Sequence, residues 1–327
     1  MAIMQFREAL RAALREEMRR DPRVFLMGEE VGEYNGAYKV SEGLLAEFGP
    51  QRVIDTPISE LGFAGIGVGA AMVGLRPVIE FMTFNFALLA IDQVVNHAAK
   101  LRHMSGGQFA VPIVFRGPSG SAGQLAQQHS QSFENWYANV PGLKVVSPST
   151  PRDAKGLLKS AIRDDDPVLV MESELMYGLK GEVPEDEDFL IPIGVAEVKR
   201  PGAEVTVVSF GKMVHVALEA AKLLEPEGVS VEVIDLRTLR PLDYETVIAS
   251  VKRTNRLVVV EESWPLGGLA AEIAYAVQRW AFDYLDAPVV RLTGADAPMA
   301  YAPTLVEAYL PNPRRLIEAI KYVTYRT

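Results

Sequence analysis

Two periodicities alternate along the chain. Short apolar runs with strand character lie at 24–27, 53–54, 77–81, 112–116, 144–147 and 168–172. Between them, at 41–48, 59–73, 86–104 and 150–163, apolar residues recur at helical spacing. Uninterrupted apolar runs predict strands buried on both faces, and their alternation with helices predicts a mainly parallel sheet flanked by helices. The first twenty residues set Phe6, Leu10, Ala13, Leu14 and Met18 among charges, the pattern of an amphipathic surface helix. Ser41 is placed to cap a helix that Gly49 and Pro50 stop.

The run GEVPEDED at 181–188 interrupts the alternation with like charges that repel and extend the chain. The pattern then restarts, with strands at 204–209, 230–235, 257–261 and 289–292 and helices at 213–224, 244–253, 269–282 and 313–322. Two α/β domains are expected, 1–185 and 201–327, joined by a linker at 186–200. A length of 327 residues agrees with that division.

Composition removes several classes. Hydrophobic residues are 49% and charged residues 23%, as in ordinary globular proteins and unlike disordered or disulfide-stapled chains. Lys and Arg number 33 against 42 Asp and Glu, a net charge of −9 with no basic block, which argues against nucleic-acid binding. Cys is absent, so disulfides, thiolate metal sites and a cysteine nucleophile are excluded. The only histidines are His97, His103, His129 and His215, too few for a histidine-rich metal site. No segment reads as a membrane span, and Glu8, Glu16 and Glu17 argue against an Arg-rich transit peptide. A cytoplasmic location is expected.

Several residues invite chemistry. Gly65-Ile66-Gly67-Val68-Gly69-Ala70 satisfies a dinucleotide-binding spacing, but the required strand does not lead into it. Those glycines fall inside a helix, where each costs about 1 kcal/mol relative to Ala, so close packing of another helix is the simpler reason for them. Glu60, taken alone, is a first-turn carboxylate favoured by the helix dipole by ~0.3–1 kcal/mol. Phe81 to Phe86, FMTFNF, reads alone as core. Glu29 and Glu30 follow a strand and read alone as a solvated pair. Asp164-Asp165-Asp166 lacks the spacing of a calcium loop.

The stretch DTPISELGFAGIGVGAAMVGLRPVIEFMTFNF (55–86) strongly resembles the β subunits of the E1 component of pyruvate dehydrogenase. GEEVGEYNGAYKVSEGL (28–44), MSGGQFAVPIVFRGP (104–118), QQHSQSFENWY (127–137) and PGLKVVSP (141–148) carry the same resemblance. FLIPIG (189–194), DLRTLRPLD (235–243) and LDAPVVRLTGADAPMAYA (285–302) extend it nearly end to end. The resemblance implies a pyrimidine-binding domain of the thiamine-diphosphate enzymes followed by a transketolase C-terminal-like domain. It implies that Glu60 hydrogen-bonds N1′ of the cofactor's aminopyrimidine and relays its proton. Phe86 then stacks on that ring, Met82 lines the pocket, and Glu29 stands near the active-site channel. His129, on a loop after a Gly/Ser-rich segment, is expected to serve proton transfer and acyl transfer to lipoamide. A structural potassium ion is expected near Ile113, Ala161, Ile162, Asp164 and Asp166, although the family often has Asn where Asp166 stands.

No Gly-Asp-Gly occurs in the chain, so the Mg2+ ligands that hold the cofactor's diphosphate are expected from an α subunit. The resemblance thus implies an α2β2 heterotetramer with a second β subunit, a 2-oxo acid substrate, and an E2 dihydrolipoyl acyltransferase that receives the acyl group. Pyruvate is the expected acid, with branched-chain 2-oxo-acid and acetoin dehydrogenases as alternatives. A nicotinamide-dependent dehydrogenase and a non-catalytic scaffold are the readings from other classes.

Overall fold

The computed structural model describes residues 1–326. The chain divides into two compact units, one of Met1–Ser119 with Trp136–Ile193, the other of Gly120–Asn135 with the residues from Gly194 onward. The passage at Ile193 falls within the stretch expected as linker.

The first unit begins with β1 (Ala2–Gln5), α1 (Phe6–Arg20), β2 (Val24–Gly28), α2 (Leu44–Phe48), β3 (Val53–Asp55), α3 (Glu60–Met72), β4 (Arg76–Glu80), α4 (Ala99–Met104) and β5 (Val114–Pro118). After α5 (Glu134–Ala138) come β6 (Lys144–Val146), α6 (Pro151–Arg163), β7 (Val168–Glu172) and β8 (Lys180–Val183). Strands β6-β7-β5-β4-β2-β3 lie side by side in that order, every pair parallel. β2, β5 and β7 are buried along their whole length, as uninterrupted apolar runs require.

Four local expectations change. Ser41 does not cap α2: Gly43, at φ +79, precedes the helix, and the buried Ser41 hydroxyl makes no hydrogen bond. The helix expected over 86–104 is a 3₁₀ turn at Ala87–Ala90, a π turn at Gln93–Ala98 and then α4. The acidic run from Gly181 starts inside β8, whose antiparallel pairing with β1 ties the N-terminus into the unit. Finally, α1 is no free surface helix. Glu16 meets Lys155 at 2.7 Å and Lys159 at 2.5 Å, and the buried Glu17 meets Arg163 at 2.7 Å. Residues 155, 159 and 163 stand at i, i+4 spacing on one face of α6, so a charge stripe on α1 finds a complementary stripe.

The glycines of α3 have separate reasons. A Cβ on Gly67 would stand 2.7 Å from Ile79 Cδ1, so this glycine lets α3 press onto β4 of its own sheet. Gly69 faces open space, and Leu61, Ile66 and Val73 on the same helix are 51%, 62% and 80% exposed. α3 is therefore apolar on its buried side and on its bare side.

The second unit contains β9 (Glu197–Arg200), β10 (Val205–Ser209), α7 (Met213–Leu224), β11 (Val231–Asp235), β12 (Thr238–Arg240), α8 (Tyr244–Thr254), β13 (Leu257–Val260), α9 (Leu269–Ala281), β14 (Val290–Leu292), α10 (Pro303–Tyr309) and α11 (Pro313–Val323). A five-stranded sheet runs β14-β13-β10-β11-β9, parallel except for the antiparallel edge strand β9. Val205, Val207, Val231, Val233, Val258 and Val260 pack with Ala217, Leu224, Leu316 and Ile320 in its core.

Candidate active site

In open parallel sheets, ligands bind beyond the carboxyl ends of the strands. Three neighbouring strands of the first unit converge on such an edge. Register pairs Gly28 at the end of β2 with Asp55 of β3 on one side and Glu80 of β4 on the other. Glu29 follows β2, Glu60 opens α3 just beyond β3, and Met82 and Phe86 lie in the turn after β4. A Cβ at Gly28 would stand 2.4 Å from the Glu80 carbonyl oxygen, so only glycine permits this approach of β2 and β4.

Glu29 and Glu60 come together there, 6% and 4% exposed. Burial, the charge of Glu60 and a hydrogen bond with Glu60, in that order, push the Glu29 carboxyl up to about 7 from an ordinary 4.5. A buried carboxyl facing a second carboxyl holds its proton more tightly, which is the sense of the Glu29 shift. Glu29 Oε1 is buried and accepts from no N–H or hydroxyl donor of the chain, in a structure where such groups are ordinarily satisfied.

The turn after β4 sorts its aromatic residues. Phe81 stacks on Phe115 at 5.8 Å and 7°, and meets Phe84 edge-on at 5.7 Å. Those two rings are core, while Met82 and Phe86 are half-buried. The turn is pinned from inside: Asn85 Nδ2 donates to Thr83 Oγ1 at 2.7 Å, and the Phe84 N–H donates to the Pro118 carbonyl at 2.8 Å.

Beside this edge lies a buried charge network that the sequence reading misses. Arg116, 1% exposed on β5, donates through Nε to Glu172 Oε1 at 2.7 Å and through its terminal nitrogens to Glu80 and Glu172. Tyr177 donates its hydroxyl to Glu172 Oε2 at 2.7 Å. Burial pushes the Glu80 carboxyl up, and the charge of Arg116 opposes that shift only in part. A signal was present: Glu80 and Glu172 close apolar strands, and Arg116 stands within the strand between them, paired in register with Glu80.

His129 belongs by contrast to the second unit, in the segment Gly120–Asn135, and is half-buried. His97 lies in the π turn and His103 in α4, and His215 lies on α7.

The residues expected around potassium hold other partners. Arg76 Nη1 donates to the carbonyls of Ile162 at 3.0 Å and Asp164 at 2.9 Å. The carbonyl of Ile113 accepts from the Val168 N–H at 3.0 Å, and that of Ala161 from the Asp164 N–H at 3.3 Å. Lys144 Nζ sits 2.7 Å from Asp164 Oδ2 and 3.2 Å from Asp166 Oδ2, and Arg102 pairs with Asp166. The carboxylate that stands where the family often has Asn thus has its own guanidinium. Among the described residues no cluster of His, Cys, Asp and Glu is arranged to hold a metal ion.

Comparison with known proteins matches the transketolase pyrimidine-binding domain over residues 3–180 and the transketolase C-terminal domain over 194–316. The chain is 58% identical over 326 residues to the pyruvate dehydrogenase E1 component subunit beta of Rhizobium meliloti, covering 100% of this chain and 71% of that one. The chain belongs to the family of pyruvate dehydrogenase E1 β subunits. The Rickettsia felis member is 56% identical, with 98% of both chains covered. A solved split-gene transketolase, described as an inactive β4 tetramer, superimposes with a TM-score of 0.80 at 25% identity over 98% of each chain. The β3-β2-β4 edge with Glu29, Glu60, Met82 and Phe86 lies within the residues that match the pyrimidine-binding domain. No helix among the described residues is long and apolar enough to cross a membrane.

Proposed function

We propose that the chain is the β subunit of the E1 component of a pyruvate dehydrogenase complex, active with an α subunit in an α2β2 assembly. The buried Glu29–Glu60 pair, with one oxygen that accepts from no N–H or hydroxyl of the chain, carries the proposal in a chain so similar to E1 β subunits. Its donor set fits thiamine diphosphate: a carboxyl raised to about 7 and an unmatched acceptor suit a ring nitrogen that exchanges a proton, and half-buried Phe86 offers that ring an aromatic face. When bound, thiamine diphosphate supplies the carbon nucleophile and electron sink for decarboxylating a 2-oxo acid.

The chain's own residues do the rest. Glu60 gives and takes the proton at N1′ of the aminopyrimidine. Glu29, its carboxyl raised to about 7, can gain or lose a proton beside Glu60 near neutral pH. Phe86 and Met82 bind the ring and exclude water. His129 donates the proton that the lipoyl dithiolane sulfur needs as its S–S bond opens, and the acyl group passes to the E2 dihydrolipoyl acyltransferase. The Mg2+ ligands come from the α subunit, since this chain has no Gly-Asp-Gly. The bare apolar face of α3 is the kind of surface a permanent partner covers. A cytoplasmic location accords with this function.

Potassium is kept as part of the proposal at Ile113, Ala161, Ile162, Asp164 and Asp166, whose oxygens would hold it. Arg76, Lys144 and Arg102 already balance the aspartates, so exchanging potassium for choline should move the melting temperature little.

Co-expression with an α subunit carrying Gly-Asp-Gly…Asn tests the main proposal. The assembly should decarboxylate pyruvate and acylate a lipoyl domain, whereas turnover by the chain alone would refute it.

A further inference from the structure

The segment that carries His129 is gripped at its base, at Ser121, by an ion pair. Lys212 lies between β10 and α7, and Glu262 follows β13, the strand next to β10. The two side chains, each 11% exposed, meet with Nζ 2.9 Å from Oε1 and 2.8 Å from Oε2. Both also hold Ser121. Glu262 Oε1 accepts the Ser121 N–H, and Lys212 Nζ donates to the Ser121 Oγ and, at 3.2 Å, to its carbonyl. Gly120 is part of the fit: it sits at φ +80, and a Cβ there would stand 2.8 Å from Glu262 Oε2.

Above this grip the segment closes into a neck. The Gly120 N–H donates to the Gln131 carbonyl at 2.9 Å, and the Ala122 N–H to Ser130 Oγ at 3.5 Å. Ser121 and Ser130 are buried, while Gly123 to Leu125 and residues 127 and 128 are exposed. Between the two sides of the neck the backbone turns through left-handed conformations at Gln124 (φ +57) and Ala126 (φ +63), which side chains adopt at a cost. Beyond the neck, Phe133 packs edge-on against Trp264 at 6.1 Å, and Asn135 Nδ2 donates to the Gly267 carbonyl at 3.1 Å. The base of the loop is thus fixed, and Ser130 and Gln131, next to His129 in the chain, are tied to it.

We infer that Lys212 and Glu262 are positioning residues: their ion pair clamps Ser121 and thereby places His129 for proton donation during acyl transfer. The inference rests on the proposed role of His129, but the clamp itself is measurable apart from that role. A misplaced catalytic group costs up to about a hundredfold in rate, so loosening the base should be felt at the step His129 serves.

The test uses the assembled α2β2 enzyme with Glu262→Gln, Lys212→Met, Lys212→Arg and His129→Ala. Hydrogen exchange over residues 120–131 reads the clamp. Acylation of an isolated lipoyl domain, set against pyruvate-dependent reduction of an artificial electron acceptor, reads the positioning. E262Q and K212M should speed exchange in 120–131 and lower acylation about tenfold more than acceptor reduction, consistent with lost orientation. K212R, which keeps the charge and the donors, should restore acylation while K212M does not. Unchanged exchange in 120–131 overturns the clamp. Faster exchange with intact acylation overturns the positioning role when H129A impairs acylation. If H129A also leaves acylation intact, the failure lies with the role of His129, and the faster exchange upholds the clamp.

Discussion

Glu29 is hydrogen-bonded to Glu60, and burial first, then the neighbouring charge, pushes its carboxyl up to about 7. A raised carboxyl contributes stability that is fully present below its unfolded value and lost as pH rises through its folded value. The window here runs from about 4.5 to about 7. Wild type should therefore lose stability across that interval relative to Glu29→Gln, which has no proton to release. Urea midpoints of the two proteins at pH 5 and pH 8 check this. A difference that does not grow with pH in the variant's favour would show that Glu29 is already ionised at pH 5.

Glu60→Gln keeps a side chain that can hydrogen-bond but cannot exchange a proton. Assembly with the α subunit should survive, while turnover should fall within the ~10²–10⁴-fold range of general acid–base catalysis. Deuterium exchange at C2 of the bound cofactor isolates the step, and an undiminished exchange rate would remove Glu60 from the relay.

Phe86→Ala should weaken cofactor binding more than it slows turnover at saturating cofactor. Stacking of this kind contributes ~0.5–1.5 kcal/mol beyond area burial, which is roughly a two- to tenfold change in affinity. Titration of wild type and variant with thiamine diphosphate and Mg2+ measures it, and equal affinities would contradict a stacking role.

Arg116→Met should leave Glu80 and Glu172 buried without their counter-ion. Loss of one partner from a buried ion pair costs about 3–5 kcal/mol, a large part of a domain's stability. Urea unfolding should show that loss, and adding Glu80→Gln and Glu172→Gln to the same chain should recover part of it. No recovery would place the damage in packing instead of in uncompensated charge.

What the sequence shows of this fold follows from the strength of its periodicity. The strands at 24–28 and 168–172 and the helices at 213–224 and 313–323 stand out because apolar runs and helical spacing are uninterrupted there. β1, β8 and β9 do not, because they are four-residue, partly exposed strands, and β8 and β9 mix charged residues with apolar ones. For the site, Glu60, Phe86 and His129 are legible only through family resemblance, since a first-turn carboxylate, an aromatic run and a lone histidine each have a plain structural explanation. Glu29 gains its meaning from β2 lying beside β3, a pairing no local pattern encodes. Lys212 and Glu262 are invisible for the same reason: their meeting depends on β10 and β13 being neighbours.

The bare side of α3 bears on how the chain must be made. Leu61, Ile66 and Val73 face water on a helix whose other side is already committed to its own sheet, so no internal rearrangement hides them. Each copy synthesised ahead of its covering partner carries an adhesive surface into a crowded cell. On the proposed assembly, in which a second chain covers this surface, supply of the two chains has to be matched, and the shorter-supplied one sets how much of the other escapes clumping and degradation.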